Sequence, residues 1–411
     1  ADDVTGCPYV RGMWRLVFLL FLVLGLPRPV CAQNRPRDDA RASTDSLQPG
    51  HWTTSGRWQT RRLPSRTGAV CLNGSPAVYH VRLVPGSDRW LMLFDGGGWC
   101  HEERACLKRL PGGPLSRLGG SQNAAPSTKS FAVALAHPSW PFHGYNLVTW
   151  HYCDGSSFLG NNEDPVPMGR NRVLFRGARI LQEGIRDLRS SFGLGNASEV
   201  VLIGASAGGM AVMLNLGLWR RSLAPHTYLY GIMDGAFFMD FQRYRQGQRA
   251  AGTFIDALRL WNASSSLDPR CLARHPAWKC MLPQYFLDFV PADVPLFIIQ
   301  TQYDSHALKV LVGTAKGRYP ADEEARRISE VGDLFQRTLL RGNNTGLFLP
   351  GCGPASGIHT FLGRSYVASY LINGTSVLQA IHRWHRLQGL QPVRLAHLCA
   401  HPCKYRCIPG A

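Results

Sequence analysis

Val200-Val201-Leu202-Ile203-Gly204-Ala205-Ser206-Ala207-Gly208-Gly209-Met210-Ala211-Val212-Met213-Leu214 decides the fold. Its first four residues are a short apolar run of buried-strand character, and from Gly208 the chain reads as a helix. Between them lies a Gly-x-Ser-x-Gly turn. Strand, turn and helix in that order form a nucleophile elbow, which presents a serine at the end of a strand. The glycines two positions either side are needed because strand and helix pass close to the turn, where a side chain would clash. Ser206 is therefore the candidate nucleophile. The plain alternative is a Gly- and Ala-rich turn with a solvated serine, and the flanking strand and helix weigh against it.

Outward from this stretch, apolar runs at 77–84, 90–94, 145–152, 229–233 and 296–301 read as further buried strands. Residues 177–191, 208–222, 253–261 and 323–338 read as helices. Alternating strands and helices imply a mostly parallel sheet covered on both faces, an α/β class, and the folded domain is expected over 67–411. The segment 262–295 carries two cysteines, several prolines and aromatic residues. It breaks the alternation and is expected to be a lid or substrate-binding insertion.

A serine hydroxyl is a weak nucleophile that needs a base, a carboxylate to orient the base, and donors aimed at the developing oxyanion. Asp304 follows the run 296–301, and acids just past a strand's C-terminal end gather at the active edge of a parallel sheet. Asp234, after 229–233, competes with it, or caps a turn instead. His359, in Gly357-Ile358-His359-Thr360, lies downstream of both. Ser206, Asp304, His359 is the serine, acid, histidine order of α/β-hydrolases. His306, His382 and His385 are rivals for the base, the last two in a helix-like stretch where surface or packing roles are commoner. The oxyanion hole is expected from the Ala207 N–H together with Asp95-Gly96-Gly97-Gly98-Trp99, a glycine run that directly follows a strand.

The chain's ends and composition bound its setting. With 411 residues, 45% hydrophobic and 10% aromatic, it has ample material for a core. Met13-Trp14-Arg15 followed by the apolar Leu16–Leu24 and the small-residue site Val30-Cys31-Ala32 reads as a secretion signal. The run is too short for a membrane span. Residues 1–32 are thus upstream sequence and signal, and 33–66, polar and rich in Arg, Asp, Ser and Pro, are expected to be a disordered basic arm. Five Asn-x-Ser/Thr sequons, at Asn73, Asn196, Asn262, Asn343 and Asn373, agree with export, although Pro76 weakens the first.

Of twelve cysteines, setting aside Cys7 and Cys31 leaves an even number suited to disulfides in an oxidising compartment. Spacing pairs Cys100 with Cys106 and Cys271 with Cys280, while Cys352, Cys399, Cys403 and Cys407 should tie the C-terminal tail to the body. Zinc is disfavoured for want of paired Cys-x₂-Cys knuckles, and no metal or cofactor is expected. A formal charge of +18 on an exported protein points to a sulfated or acidic polysaccharide rather than to nucleic acid.

Four segments resemble the pectin acetylesterase family: Phe94-Asp95-Gly96-Gly97-Gly98-Trp99-Cys100, Tyr152-Cys153-Asp154-Gly155-Ser156-Ser157-Phe158, Gly204–Gly209 and Cys399-Ala400-His401-Pro402-Cys403-Lys404-Tyr405-Arg406-Cys407. The likeness runs from about Cys71 to Cys407. It implies an α/β-hydrolase fold with Ser206, Asp304 and His359 as its triad and Gly97, Gly98 and Ala207 at its oxyanion hole. The resemblance is strongest toward an animal branch of secreted carboxylesterases that remove palmitoleate from a serine of Wnt proteins and associate with heparan sulfate glypicans. Lipidated Wnt proteins are thus the implied substrate. An acetylated polysaccharide is the alternative, and a catalytically silent binder of glycosaminoglycan or lipidated ligand a third reading that the filled triad positions oppose. An acyl pocket must be apolar and closed. Trp99, Phe237, Phe238, Met281, Leu282 and Val310 are its expected lining. Met281-Leu282 stands where the animal branch has two phenylalanines, and His306 where it has a small residue, so His306 would shorten the pocket.

Overall fold

The computed structural model describes residues 56–314, 320–341, 345–352 and 357–401. The expected signal, the arm up to residue 55, Asn343, Cys403 and Cys407 lie outside them.

Among the described residues nine strands form one sheet: β1 (Gln59–Arg62), β2 (Val78–Arg82), β3 (Arg89–Phe94), β4 (Asn146–Trp150), β5 (Glu199–Ala205), β6 (Tyr228–Asp234), β7 (Leu296–Ile299), β8 (Thr345–Leu349) and β9 (Arg394–Ala396). Their spatial order is β1-β2-β4-β3-β5-β6-β7-β8-β9. The β1–β2 and β2–β4 pairs are antiparallel, and every pair from β4 to β9 is parallel. A parallel sheet buried on both faces needs strands apolar at every position, and the sequence supplies them. Trp90, Met92, Phe94, Val200 and Leu202 enter one core, and Leu91, Leu93, Val201 and Ile203 enter the other.

Five longer helices cover the faces: α1 (Gly177–Ser191), α2 (Ala207–Ser222), α3 (Arg245–Trp261), α4 (Ala321–Leu339) and α5 (Val377–Arg386). The first four bury apolar residues in the larger core, among them Ile185, Met210, Phe254 and Phe335. α5 lays Leu378, Ile381 and Trp384 on the opposite face. Ser376 starts α5 with a capping box, its hydroxyl accepting from the Gln379 N–H while the Gln379 side chain accepts from the Ser376 N–H. This is the expected α/β-hydrolase architecture, and no helix among the described residues is long and apolar enough to cross a membrane.

Two expectations are corrected. Residues 59–62, expected within the disordered arm, form the edge strand β1, where backbone pairing with β2 requires no apolar side chains. Arg61 anchors the strand, its Nε and Nη2 donating to the Asp187 carboxylate at 3.0 and 2.8 Å, and Tyr79 donates to the same group at 2.7 Å. The second concerns 262–295, which packs into the body and contributes no residue to the lining of the cavity described below. The Cys271–Cys280 disulfide closes it locally, and Cys271, Cys280, Met281, Leu282, Phe286 and Phe289 are all buried in the larger core. That much apolar surface is better satisfied against the body than above an opening.

Cys100–Cys106 pairs as its spacing implies, and Cys71–Cys153 adds a long-range bridge that spacing does not reveal. Its 82-residue separation corresponds to about 4.5 kcal/mol of unfolded-state restriction in the chain-entropy picture. Cys352 and Cys399 are disulfide-bonded as well. Among the sequons, Asn196, Asn262 and Asn373 are exposed. Asn73 is committed elsewhere: its Oδ1 accepts from the Ser75 N–H and hydroxyl, and its Nδ2 donates to Gln122.

Candidate active site

Ser206 occupies the turn between β5 and α2 at φ 53° and ψ −123°, a conformation rare for a residue with a side chain. Its N–H donates to the Asp234 carbonyl at 2.9 Å, which holds the turn against β6. The flanking glycines are dictated by proximity. A Cβ on Gly208 would lie 2.0 Å from the Phe94 carbonyl oxygen, and one on Gly204 2.2 Å from the Gly208 oxygen.

The chain past β8 brings His359 over this serine. His359 Nε2 is 2.8 Å from Ser206 Oγ, and its Nδ1 is 2.8 Å from Asp304 Oδ2. Asp304 is itself held at both oxygens, Oδ1 accepting from the Ala307 N–H at 2.8 Å and Oδ2 from Gln300 Nε2 at 3.1 Å. Gln300 is oriented in turn by the Phe237 N–H, which donates to its Oε1 at 3.0 Å. A hydroxyl, an imidazole and a carboxylate so joined can pass a proton from oxygen to ring while the carboxylate favours the charged ring.

Asp234 does not join this line. Its carboxylate accepts from the Phe361 and Leu362 N–H groups at 2.8 Å and so caps the turn just after His359. Burial pushes its carboxyl up to about 7. Burial also opposes charge on His359, but the Asp304 carboxylate, helped by Asp234, outweighs it and raises the imidazole above its ordinary value. A base must be neutral to accept a proton. The acid limb of the kcat/KM profile for a simple ester is therefore expected above the ordinary imidazole value of about 6.5 and to move down in Asp304→Asn. An acid limb at or below 6.5 in the unmodified protein would contradict this arrangement.

The glycine run after β3 passes against the elbow, where a Cβ on Gly96 would come 2.8 Å from Ser206 Cβ. Gly98 turns it at φ 64°. The Gly97 carbonyl accepts from Arg109 Nη2 at 2.6 Å, and the Gly98 carbonyl accepts from the Tyr152 hydroxyl at 2.8 Å. Trp99 Nε1 donates to Ser157 Oγ at 2.8 Å, and that hydroxyl donates to the Ala207 carbonyl at 2.8 Å. The loop is thereby tied to the first turn of α2.

Beside His359 lies an apolar cavity of about 210 Å³. Trp99, Phe237, Phe238 and Val310 line it, together with Phe254 of α3, Phe335 of α4 and His306. Trp99 packs edge-on against Phe238 and Phe254, with ring centroids 4.8 and 5.5 Å apart. Met281 and Leu282 are not part of the lining. They are 0% and 1% exposed within the core, drawn in with the disulfide-closed segment described above. The His306 ring lies 5.0 Å from that of His359, and burial, followed by the neighbouring His359, lowers its pKa. His385 is elsewhere, bonded through Nε2 to Glu199 at 2.7 Å, and His382 is exposed on α5.

Sequence reasoning missed Gln300, Arg109, Phe254 and Phe335. Phe254 carried a signal, since Ala250, Phe254, Ala257 and Trp261 follow helical spacing that extends α3 upstream of residue 253. Gln300 and Arg109 had none, because their partners are distant in the chain or are backbone atoms.

The family model described as Pectinacetylesterase matches residues 60–408. The chain is 28% identical over 360 residues to pectin acetylesterase 5 of Arabidopsis thaliana, covering 83% of this chain and 82% of that protein. It is 28% identical over 375 residues to palmitoleoyl-protein carboxylesterase NOTUM of Homo sapiens, covering 83% and 71%. A solved structure of the Wnt deacylase Notum from Drosophila shares the fold with a TM-score of 0.70 at 26% identity, covering 83% of this chain and 97% of that one.

Proposed function

The chain belongs to the pectinacetylesterase family and is a carboxylesterase of it, and from that premise we propose that it is a secreted enzyme removing palmitoleate from a serine of Wnt proteins, so lowering Wnt signalling. Ser206 attacks the ester carbonyl, and His359 takes its proton and passes it to the leaving serine oxygen. Asp304 orients His359 and favours its charged form. The N–H groups of Gly97, Gly98 and Ala207 hold the oxyanion, and water repeats the sequence to free the fatty acid.

One observation carries the substrate reading: the cavity beside His359 is walled by aromatic and aliphatic side chains and is far larger than an acetyl group needs. An apolar cavity of 150 Å³ takes benzene, so 210 Å³ takes roughly eight carbons of acyl chain. A palmitoleoyl chain then requires part of the lining, such as His306 beside His359 or Phe335, to give way. A second reading, O-deacetylation of a polysaccharide, is favoured by His306 in the pocket wall and by the plant relatives, one of which is 31% identical over 315 residues. The +18 charge supports association with heparan sulfate on glypicans, weakening as salt screens it.

The test compares an acetyl ester, an octanoyl ester and a palmitoleoylated serine peptide from a Wnt sequence. We expect kcat/KM to rise by about tenfold or more from acetyl to octanoyl, as added methylenes are buried, and the peptide to be deacylated. His306→Ala should favour the palmitoleoyl substrate further. Turnover confined to the acetyl ester would sink the Wnt reading and leave the polysaccharide one.

A further inference from the structure

Arg109 has no obvious place in an ordinary folded core. It is 2% exposed, in the loop after the Cys100–Cys106 bridge, with its N–H donating to the Cys106 carbonyl at 2.9 Å. Among the described residues its guanidinium makes one hydrogen bond, the 2.6 Å donation from Nη2 to the Gly97 carbonyl. Nε and Nη1 are buried and have no hydrogen-bond partner among the described residues, and no carboxylate there forms an ion pair with it. Burying an uncompensated charge is costly, and folded proteins normally pair it. Here the nearest backbone it holds is the glycine loop set against Ser206.

We propose that Arg109 is a positioning residue for ester hydrolysis, acting through the Gly97–Gly98 peptide to stabilise the oxyanion. This rests on the reading of Ser206 as nucleophile and the glycine loop as oxyanion hole. The Gly97 carbonyl and the Gly98 N–H belong to one planar unit, so a donor fixed on the oxygen fixes where the N–H points. A charged donor also polarises that unit and strengthens the N–H as a donor in its turn. With no ion-pair partner among the described residues, the guanidinium's field is left to act on negative charge developing at the substrate oxygen. Tyr152 is the neutral counterpart one peptide further on. Its hydroxyl donates to the Gly98 carbonyl and so fixes the Trp99 N–H. Both supports come from behind the loop, leaving its other side to the substrate.

The experiment measures kcat and KM on p-nitrophenyl acetate and butyrate for Arg109→Met, Arg109→Lys and Tyr152→Phe, with inhibition by an alkyl trifluoromethyl ketone. That ketone is captured by the nucleophile as an oxyanion, so it reports the hole directly. Arg109→Met is expected to lower kcat by about 30- to 300-fold with KM within about threefold, and to weaken the ketone by the same factor. Arg109→Lys should regain about tenfold of the loss, and Tyr152→Phe should lose about three- to tenfold. The proposal is overturned by a kcat for Arg109→Met within threefold of the unmodified protein, by unchanged ketone affinity, or by a lysine variant no better than the methionine one. If Arg109→Met does not fold, Arg109→Lys alone decides: a parallel fall in kcat and ketone affinity supports the role, and no change in either overturns it. Ser206→Ala is run beside these, because turnover that survives it overturns the triad reading and not the part played by Arg109.

Discussion

Ser206→Ala is expected to lower kcat for ester hydrolysis by about five to six orders of magnitude while leaving the protein folded. In the proposed mechanism the hydroxyl is the attacking group, and without it His359 loses the donor that its Nε2 faces at 2.8 Å. What remains is water attack assisted by the oxyanion donors, worth about 10³ to 10⁴ over the uncatalysed reaction. Stability should change little. The strained backbone at φ 53° is imposed by β5, α2 and the Asp234 carbonyl, and alanine meets the same strain as serine. A folded alanine variant retaining a hundredth of the original turnover would rule out Ser206 as the nucleophile.

Asp304→Asn is expected to cost about 10⁴ in kcat, through the tautomer of His359 rather than through any loss of packing. Asp304 Oδ1 accepts from the Ala307 N–H, and Oδ2 accepts from both Gln300 Nε2 and His359 Nδ1. An asparagine satisfies the first with its carbonyl and then turns its NH₂ toward His359. Nδ1 must become the acceptor, the proton moves to Nε2, and the ring presents a donor to Ser206 where it needs an acceptor. Asp234→Asn is the contrast. Among the described residues that carboxylate hydrogen-bonds to the Phe361 and Leu362 N–H groups and not to His359, so its loss should cost about 1–3 kcal/mol of stability and less than about tenfold in kcat. Measuring both variants by steady-state kinetics and thermal unfolding separates the roles, and comparable kcat losses in the two would refute the division.

The two aspartates also mark where sequence reading stops. Asp234 ends one buried strand and Asp304 follows another, and both are sealed from water, Asp234 at 1% and Asp304 at 2% exposure. Nothing within either segment states which loop carrying a histidine will cross it. That is settled when the chain past β8 folds back so closely that a Cβ on Gly235 would meet the His359 carbonyl at 2.1 Å. Met281 and Leu282 failed as pocket residues for a related reason. Their apolar character was plain, but in a segment without helical or strand period the direction of a side chain is set by its neighbours. β1 escaped notice because an edge strand is held by its backbone, so its side chains need show no apolar pattern.

What the sequence by itself determined is local and periodic. Apolar runs of strand length alternating with amphipathic helices specify a parallel sheet covered on both faces, and Gly204 and Gly208 around Ser206 specify a turn that tolerates no side chain on either flank. These follow from sterics and from the period of each element, which neighbouring residues express without help from the rest of the chain. Tertiary structure alone decided which acid meets His359, which side chains wall the cavity beside it, and that Arg109 and Tyr152 donate to the carbonyls of the glycine loop. Those depend on contacts between segments far apart in sequence, where the position of a few polar atoms to within an ångström is a property of the whole packed molecule.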